Sequence, residues 1–394
     1  MQRVYPLLST LFLLYACTTT VPHAPVEEKP VTPIVVAPVE KPAPVTAIIE
    51  APAPILAIDK NAVPHIALLL PLKSKDYGTA ADAVQQGFLA AANHERHTLP
   101  IYIYSDFDEN TGVAAIYHKA IASGARAVVG PLTRSGVSAL AAEKDIPVPT
   151  LALNIVEDKP AQQLYYFGME ADAEARQIAQ LAKQHGLRQA IVITTRAQLT
   201  KRFQSAFEEE WLASDGGILR EIEYNNISGE FSDITEIPGT AIFLFADVKI
   251  ARLIRPYLPN KLPIYATSQI FPGNDNSLTN YDLNGIRFVD MPWLLQPDHA
   301  AVMTYPRAIM PLSIDHERLY ALGIDAYRLI RVLLSKKPSA ALPLDGVTGD
   351  IRLRDHIFHR SAIPAVFQEG RSQLAGVNSV PPIQVFPNQT IVLP

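Results

Sequence analysis

The side chains with chemical potential gather in short loops that follow hydrophobic runs. These loops are Pro71-Leu72-Lys73, Gly130-Pro131-Leu132-Thr133-Arg134-Ser135, Leu153-Asn154, Thr194-Thr195-Arg196, Ala246-Asp247 and Thr267-Ser268-Gln269. Hydroxyls and backbone N–H groups at a helix start are suited to an anion. Thr133 and Ser135 offer that arrangement, and they serve equally well as plain helix N-caps. Asp247 fits either the amine of a ligand or the start of a helix at Val248. Lys73, Arg134, Arg196 and Asp247 are the charged groups of this set, with Leu72 and Leu132 at its mouth, which favours protein contact over a pocket for a zwitterion.

A second group suggests a partner surface. Trp293, in a loop reading MPWLL, is either an aromatic anchor for a protein contact or a plug between lobes. Arg352, Arg354 and Arg360 form a basic strip that could meet an acidic partner, or that is simply the wet face of a half-buried strand. Asp325, on an apolar helix face, is read as structural, paired with an arginine or capping a crossing strand. His356 and His359 are too sparse a pair for a metal site. The chain has no G-x-S-x-G elbow, no H-E-x-x-H and no Walker-type phosphate loop. An enzyme, a cofactor and a metal are therefore not expected.

Cys17 is the only cysteine among 394 residues, so neither an internal disulfide nor a cysteine zinc site is possible. It follows a short basic start and an apolar run over 4–15 that is too short to span a bilayer comfortably. Leu14-Tyr15-Ala16-Cys17 resembles a bacterial lipobox, with Tyr15 as a departure from the usual small residue. That resemblance implies a signal peptide over 1–16, acylation of Cys17 and anchoring to a membrane. Thr18, in place of Asp, points to the outer membrane by similarity to enterobacterial sorting. From 17 to 64 the chain is rich in Pro, Val, Ala and Glu, a composition that favours polyproline II and buries no core. Fully extended, this tether reaches on the order of 130 Å at about 3.1 Å per residue.

The elements that must position the loops begin at His65. The apolar run 66–70, bounded by prolines, reads as a strand buried on both faces. Strands at 66–70, 100–104, 126–129 and 149–153 alternate with helices at 79–94, 111–123 and 134–144. A second series follows Gly168: helix 171–185, strand 189–193, helix 199–213, strands 218–223 and 241–245, helix 248–255 and strand 262–266. Gly124 and Gly186 are placed as helix C-caps. Two such series imply two doubly wound α/β lobes. Further on, 286–289 reads as a strand, 316–336 as a long helix and 347–356 as a half-exposed strand. The net charge of −5, with no Lys/Arg block, argues against nucleic acid as a partner.

YATSQIFPG (265–273), DLNGIRFVDMPWLL (282–295), LYALGIDAYRL (319–329) and GVTGDIRL (346–353), with IALLLPL and VVGPLTRSGVSAL upstream, occur in an order that carries a resemblance. Over about 65–372 the chain resembles the C-terminal domain of the penicillin-binding protein activator LpoA family. The resemblance implies a type I periplasmic binding protein fold, with a cleft between two lobes: 65–168 plus 296–342, and 169–295 plus 343–376, followed by an extended tail at 377–394. It also implies a non-enzymatic lipoprotein of the outer membrane that faces the periplasm and activates a bifunctional penicillin-binding protein, a peptidoglycan synthase, by direct contact. In small-molecule members of that fold, the loop equivalent to Thr133–Ser135 binds a carboxylate. The alternative is therefore a lipid-anchored solute-binding protein for an amino acid. Larger family members carry a helical, tetratricopeptide-like domain where this chain has only the proline-rich spacer, so a contact made through that domain is not carried over.

Overall fold

A computed structural model describes residues 62–95, 99–105, 112–157, 160–226, 228–335 and 342–376. Cys17, the signal segment 1–16, the linker up to 61 and the tail at 377–394 lie outside the described residues.

The first strands are β1 (His65–Leu69), β2 (Ile101–Tyr104), β3 (Ala125–Val129), β4 (Thr150–Ala152) and β5 (Leu164–Tyr166). They alternate with helices α1 (Gly78–His94), α2 (Val113–Ala122) and α3 (Arg134–Ala141). All five strands pair in parallel with one another. Every residue of β1 is buried, as a continuous apolar run requires when helices cover both faces. The period of two is visible in the packing. Ile66, Leu68 and Leu70 join the core under α1, while Ala67 and Leu69 join the core with Val113, Tyr117, Val137 and Leu140 of α2 and α3.

The second series comprises α4 (Ala171–Gln184), β6 (Gln189–Thr194), α5 (Gln198–Ala213), β7 (Gly217–Glu223), β8 (Thr240–Leu244), α6 (Val248–Ile254), β9 (Ile264–Ala266) and β10 (Ile286–Asp290). Here Ile191, Ile193, Ile242 and Leu244 face one core and Val192, Phe243 and Phe245 the other. Gly124 and Gly186 each follow a helix with positive φ, at 96° and 82°, the left-handed geometry that a C′ glycine supplies. The short helices α7 (Pro292–Leu295) and α8 (Ala300–Thr304) then lead to α9 (Ile314–Leu334), which returns to the first lobe against α1.

The closing strands are β11 (Leu344–Asp345), β12 (Asp350–Arg354), β13 (Ile357–Ser361), β14 (Ile363–Gln368) and β15 (Arg371–Leu374). They give an eight-stranded sheet in the order β11-β12-β13-β5-β4-β3-β1-β2 and a seven-stranded sheet in the order β15-β14-β10-β9-β8-β6-β7. This corrects the boundary expected at 343. β13 pairs in parallel with β5 through Ile357 and Tyr166, so 344–361 extends the first sheet, and only β14 and β15 add to the second. The mixed α/β architecture, with two mainly parallel sheets covered by helices, is that of a type I periplasmic binding protein. Among the described residues no helix is long and apolar enough to cross a membrane.

Candidate functional site: an interlobe cleft over buried ion pairs

The two lobes border a cleft of about 1750 Å³. That exceeds the roughly 300–1,000 Å³ usual for a small-molecule pocket. On the first lobe its wall includes Leu132, Thr133, Arg134, Ser135, Asn154, Arg352 and Arg354, all of them expected at the cleft or at a partner surface from the sequence. The opposing wall is α4, with Arg202 of α5 beside it.

Several of the polar groups in the first wall are already engaged in shaping it. Thr133 caps α3, its hydroxyl accepting the Gly136 N–H at 3.1 Å. Asn154 donates from Nδ2 to the Leu132 carbonyl at 3.1 Å and accepts the Ile155 N–H at 3.0 Å, so it ties two loops together. The loop that carries them starts at Gly130, where φ is 101° and a Cβ would stand 2.1 Å from the Leu69 carbonyl oxygen. Only glycine allows that approach.

Other expected residues lie elsewhere. Leu72 packs against the first-lobe core and Lys73 is exposed; neither lines the cleft. Arg196 is exposed and pairs with Glu223 at 3.2 Å. Asp247 caps α6, accepting the Ile250 N–H at 2.9 Å. Thr267 and Ser268 are buried rather than set at a mouth. Trp293 is the clearest correction, because it is 1% exposed and cannot anchor a partner. Its Nε1–H donates to Glu317 at 2.6 Å, and the Arg307 guanidinium stacks 3.8 Å over its ring, so both faces of the indole's polarity are satisfied internally. Arg360 also leaves the expected basic strip and is buried. Asp325 is structural as expected: buried, it accepts from Arg328 at 3.0 Å, from the Val347 and Thr348 N–H groups and from the Thr348 hydroxyl.

Beneath the cleft, two buried ion pairs cross from lobe to lobe. Arg318, on α9 of the first lobe, donates to both oxygens of Asp290 on β10 of the second, at 3.3 and 2.7 Å. Arg360, on β13 of the first sheet, donates to Glu174 on α4 at 2.9 Å and to the Met169 carbonyl at 2.7 Å. Ser268 joins the two, since its N–H donates to Glu174 at 3.1 Å and its carbonyl accepts from Arg318 at 2.8 Å. A buried charge left without its partner is strongly unfavourable, so lobe separation that breaks either pair is resisted. Sequence reasoning missed this network. Its members are spread over 170–360 and no local pattern links them, although a charged residue on a buried helix face, as at Arg318, was a visible signal.

Glu170 sits at the cleft end of this network with φ of 30°, a left-handed backbone for a non-glycine residue. Its carboxylate pairs with His359 at 2.9 Å. Burial pushes the carboxyl above its ordinary value of 4.5, against the pull of His359 and Arg360. The folded state therefore holds this proton more tightly than the unfolded chain, and ionisation as the pH rises past 4.5 removes stability. Glu170→Gln is expected to melt higher than the wild type near neutral pH, with the gap closing under acid conditions. A lower melting temperature near neutrality would mean that the His359 pair outweighs the burial penalty.

Comparisons with known proteins fit this architecture. A family model described as "LppC putative lipoprotein" matches residues 41–237 and 230–358. The penicillin-binding protein activator LpoA of Photobacterium profundum is 26% identical over 327 residues, which cover 73% of this chain and 53% of that protein. The chain thus spans about half the length of the curated relatives it matches. A solved structure from Chromobacterium violaceum, described as "a putative branched-chain amino acid ABC transporter", is 35% identical with a TM-score of 0.67, covering 77% of this chain and all of that one. The C-domain of LpoA from Haemophilus influenzae, described as a regulator of PBP1A, is 24% identical with a TM-score of 0.66, over 79% of this chain and all of that domain. On the strength of a family match that runs through both lobes, the chain belongs to the LppC lipoprotein family.

Proposed function

We propose that this chain is a non-enzymatic lipoprotein, anchored through acylated Cys17 to the outer membrane and facing the periplasm, that activates a bifunctional penicillin-binding protein by direct contact. The curated relatives named as penicillin-binding protein activators support the partner, and the lipoprotein family supports the anchor. The observation that carries the reading is the pair of buried ion pairs across the lobes, Arg318–Asp290 and Arg360–Glu174. They suit a scaffold with a fixed cleft rather than a trap that closes on a solute.

A solute-binding role is the second reading, favoured by the 35% identity to the Chromobacterium violaceum structure. The geometry favours it less. Asp247, the candidate partner for a ligand amine, caps α6 and does not line the cleft, while Asp172 in the cleft is held by Arg202 at 2.8 Å. Two measurements separate the readings. The purified chain is expected to bind a bifunctional synthase from its own cell in surface plasmon resonance, and to show no melting shift with leucine, isoleucine or valine. A melting shift with one of these, and no synthase binding, would reverse the order of the two readings. For the anchor, Cys17→Ala is expected to move the chain from the membrane fraction to the soluble periplasmic fraction; retention in the membrane would refute acylation as the tether.

A further inference from the structure

The charge lining the cleft runs against that of the whole chain. The formal net charge is −5, yet the lining holds Arg134, Arg176, Arg202, Arg352, Arg354 and Arg360 against Glu157, Glu170 and Asp172. Four of these arginines are occupied by carboxylates: Arg176 by Glu209, Arg202 by Asp172, Arg352 by Asp350 and Arg360 by Glu174. Arg134 and Arg354 differ from them. Both are exposed at the cleft, and among the described residues the side chain of neither makes an ion pair or hydrogen bond. Two cations held at one opening without internal partners are available to a ligand's carboxylates, and guanidinium groups bind these in a bidentate manner.

Size and rigidity narrow the ligand further. At about 1750 Å³ the cleft is far larger than a free amino acid needs. The ion pairs beneath it tie the lobes to one another, and the width of the cleft leaves room for an occupant to run out of the groove at its ends. On the second wall α4 presents Gln184, whose amide group matches a peptide backbone, one helical turn from Gln180, whose Nε2 already donates to Glu210 at 2.9 Å. Leu132, Leu153 and Leu353 supply apolar surface between the polar groups.

We infer that the cleft is a preformed groove for an extended acidic segment of a partner protein, whose carboxylates pair with Arg134 and Arg354. This rests on the proposed role as a protein regulator and names the surface through which it acts.

The test is a fluorescence anisotropy titration of the full chain with a fluorescein-labelled octapeptide of glutamate and alanine, and with its lysine-for-glutamate counterpart. The acidic peptide is expected to bind and the basic one not to. Arg134→Glu combined with Arg354→Glu is expected to weaken binding about tenfold or more, and raising the salt from about 50 to about 300 mM is expected to weaken it in the wild type. Arg196→Glu, an exposed arginine outside the cleft, controls for general charge and is expected to bind as the wild type does. Equal binding by the double variant and the wild type would overturn the inference. So would equal weakening by Arg196→Glu, or displacement of the peptide by free leucine or by peptidoglycan fragments at matched concentration. A crosslinking assay with the synthase separates this failure from that of the broader reading. Full stimulation by the double variant would remove the groove but keep the regulator. Absence of stimulation by the wild type would remove the regulator, leaving the titration to decide whether the groove binds acidic peptide.

Discussion

Arg318→Leu is expected to destabilise the folded unit by about 3–5 kcal/mol, the usual penalty for leaving one member of a buried ion pair alone. Asp290 is 1% exposed, and its other hydrogen bond in the structure comes from the Met291 N–H. Without Arg318 its charge must stay unpaired or be neutralised. The Ser268 carbonyl, which also accepts from Arg318, loses that donor at the same time. In a domain of this size the melting temperature should fall by on the order of 10 °C. Arg318→Leu combined with Asp290→Leu should recover much of the loss, because no uncompensated charge then remains, and the double-mutant cycle reports the coupling. A single variant within about 1 kcal/mol of the wild type would contradict the account of the lobe junction.

The second large effect is expected where α9 crosses α1. A Cβ built on Gly323 would stand 2.1 Å from the Val84 carbonyl oxygen and 2.8 Å from the Phe88 nitrogen. One built on Gly87 would stand 1.9 Å from the Tyr320 carbonyl oxygen. Both obstacles are backbone, so relief requires the two helices to separate and open the core around Phe88, Leu322 and Tyr327. Helix propensity alone would reward Gly→Ala by about 1 kcal/mol. The close approach reverses that sign: Gly323→Ala should be destabilising in chemical denaturation, and Gly323→Val worse, by about 1–3 kcal/mol or more. A stabilised Gly323→Ala variant would mean that the helices do not meet as described.

What could be read from the sequence followed from periodicity and glycine chemistry. The unbroken run at Ile66–Leu70 marked a doubly covered strand, and β1 is that strand. Gly124 and Gly186 marked helix ends because left-handed backbone strongly favours glycine. Less legible was the closing stretch of strands. The β12–β13 turn uses Asp355 and His356 at positive φ, 49° and 64°, without the Asn-Gly or Asp-Gly pair that signals a hairpin. The exchange of 344–361 into the first sheet depends on β13 meeting β5 nearly two hundred residues upstream, which no local pattern encodes. At the cleft, Leu132–Ser135 and Asn154 were expected in the first wall because ligands in open parallel sheets sit at strand ends, whereas Arg352 and Arg354 were expected as a basic strip on a partner surface and lie in the cleft wall. The second wall was not, since the polar face of α4, with Arg176, Gln177, Gln180 and Gln184, looks in sequence like any solvated helix face. Trp293 was assigned to a loop for a related reason: its partners Glu317 and Arg307 lie beyond the reach of local pattern.

The measurement closest to the central claim is the rate of peptide crosslinking by a purified bifunctional penicillin-binding protein from the same cell, with and without this chain. The account predicts faster crosslinking when the chain is present, and loss of that gain when Arg134 and Arg354 are both changed to glutamate in a variant that retains the wild-type melting temperature. An unchanged rate with every bifunctional synthase of the cell, at concentrations where the chain remains folded, would contradict it.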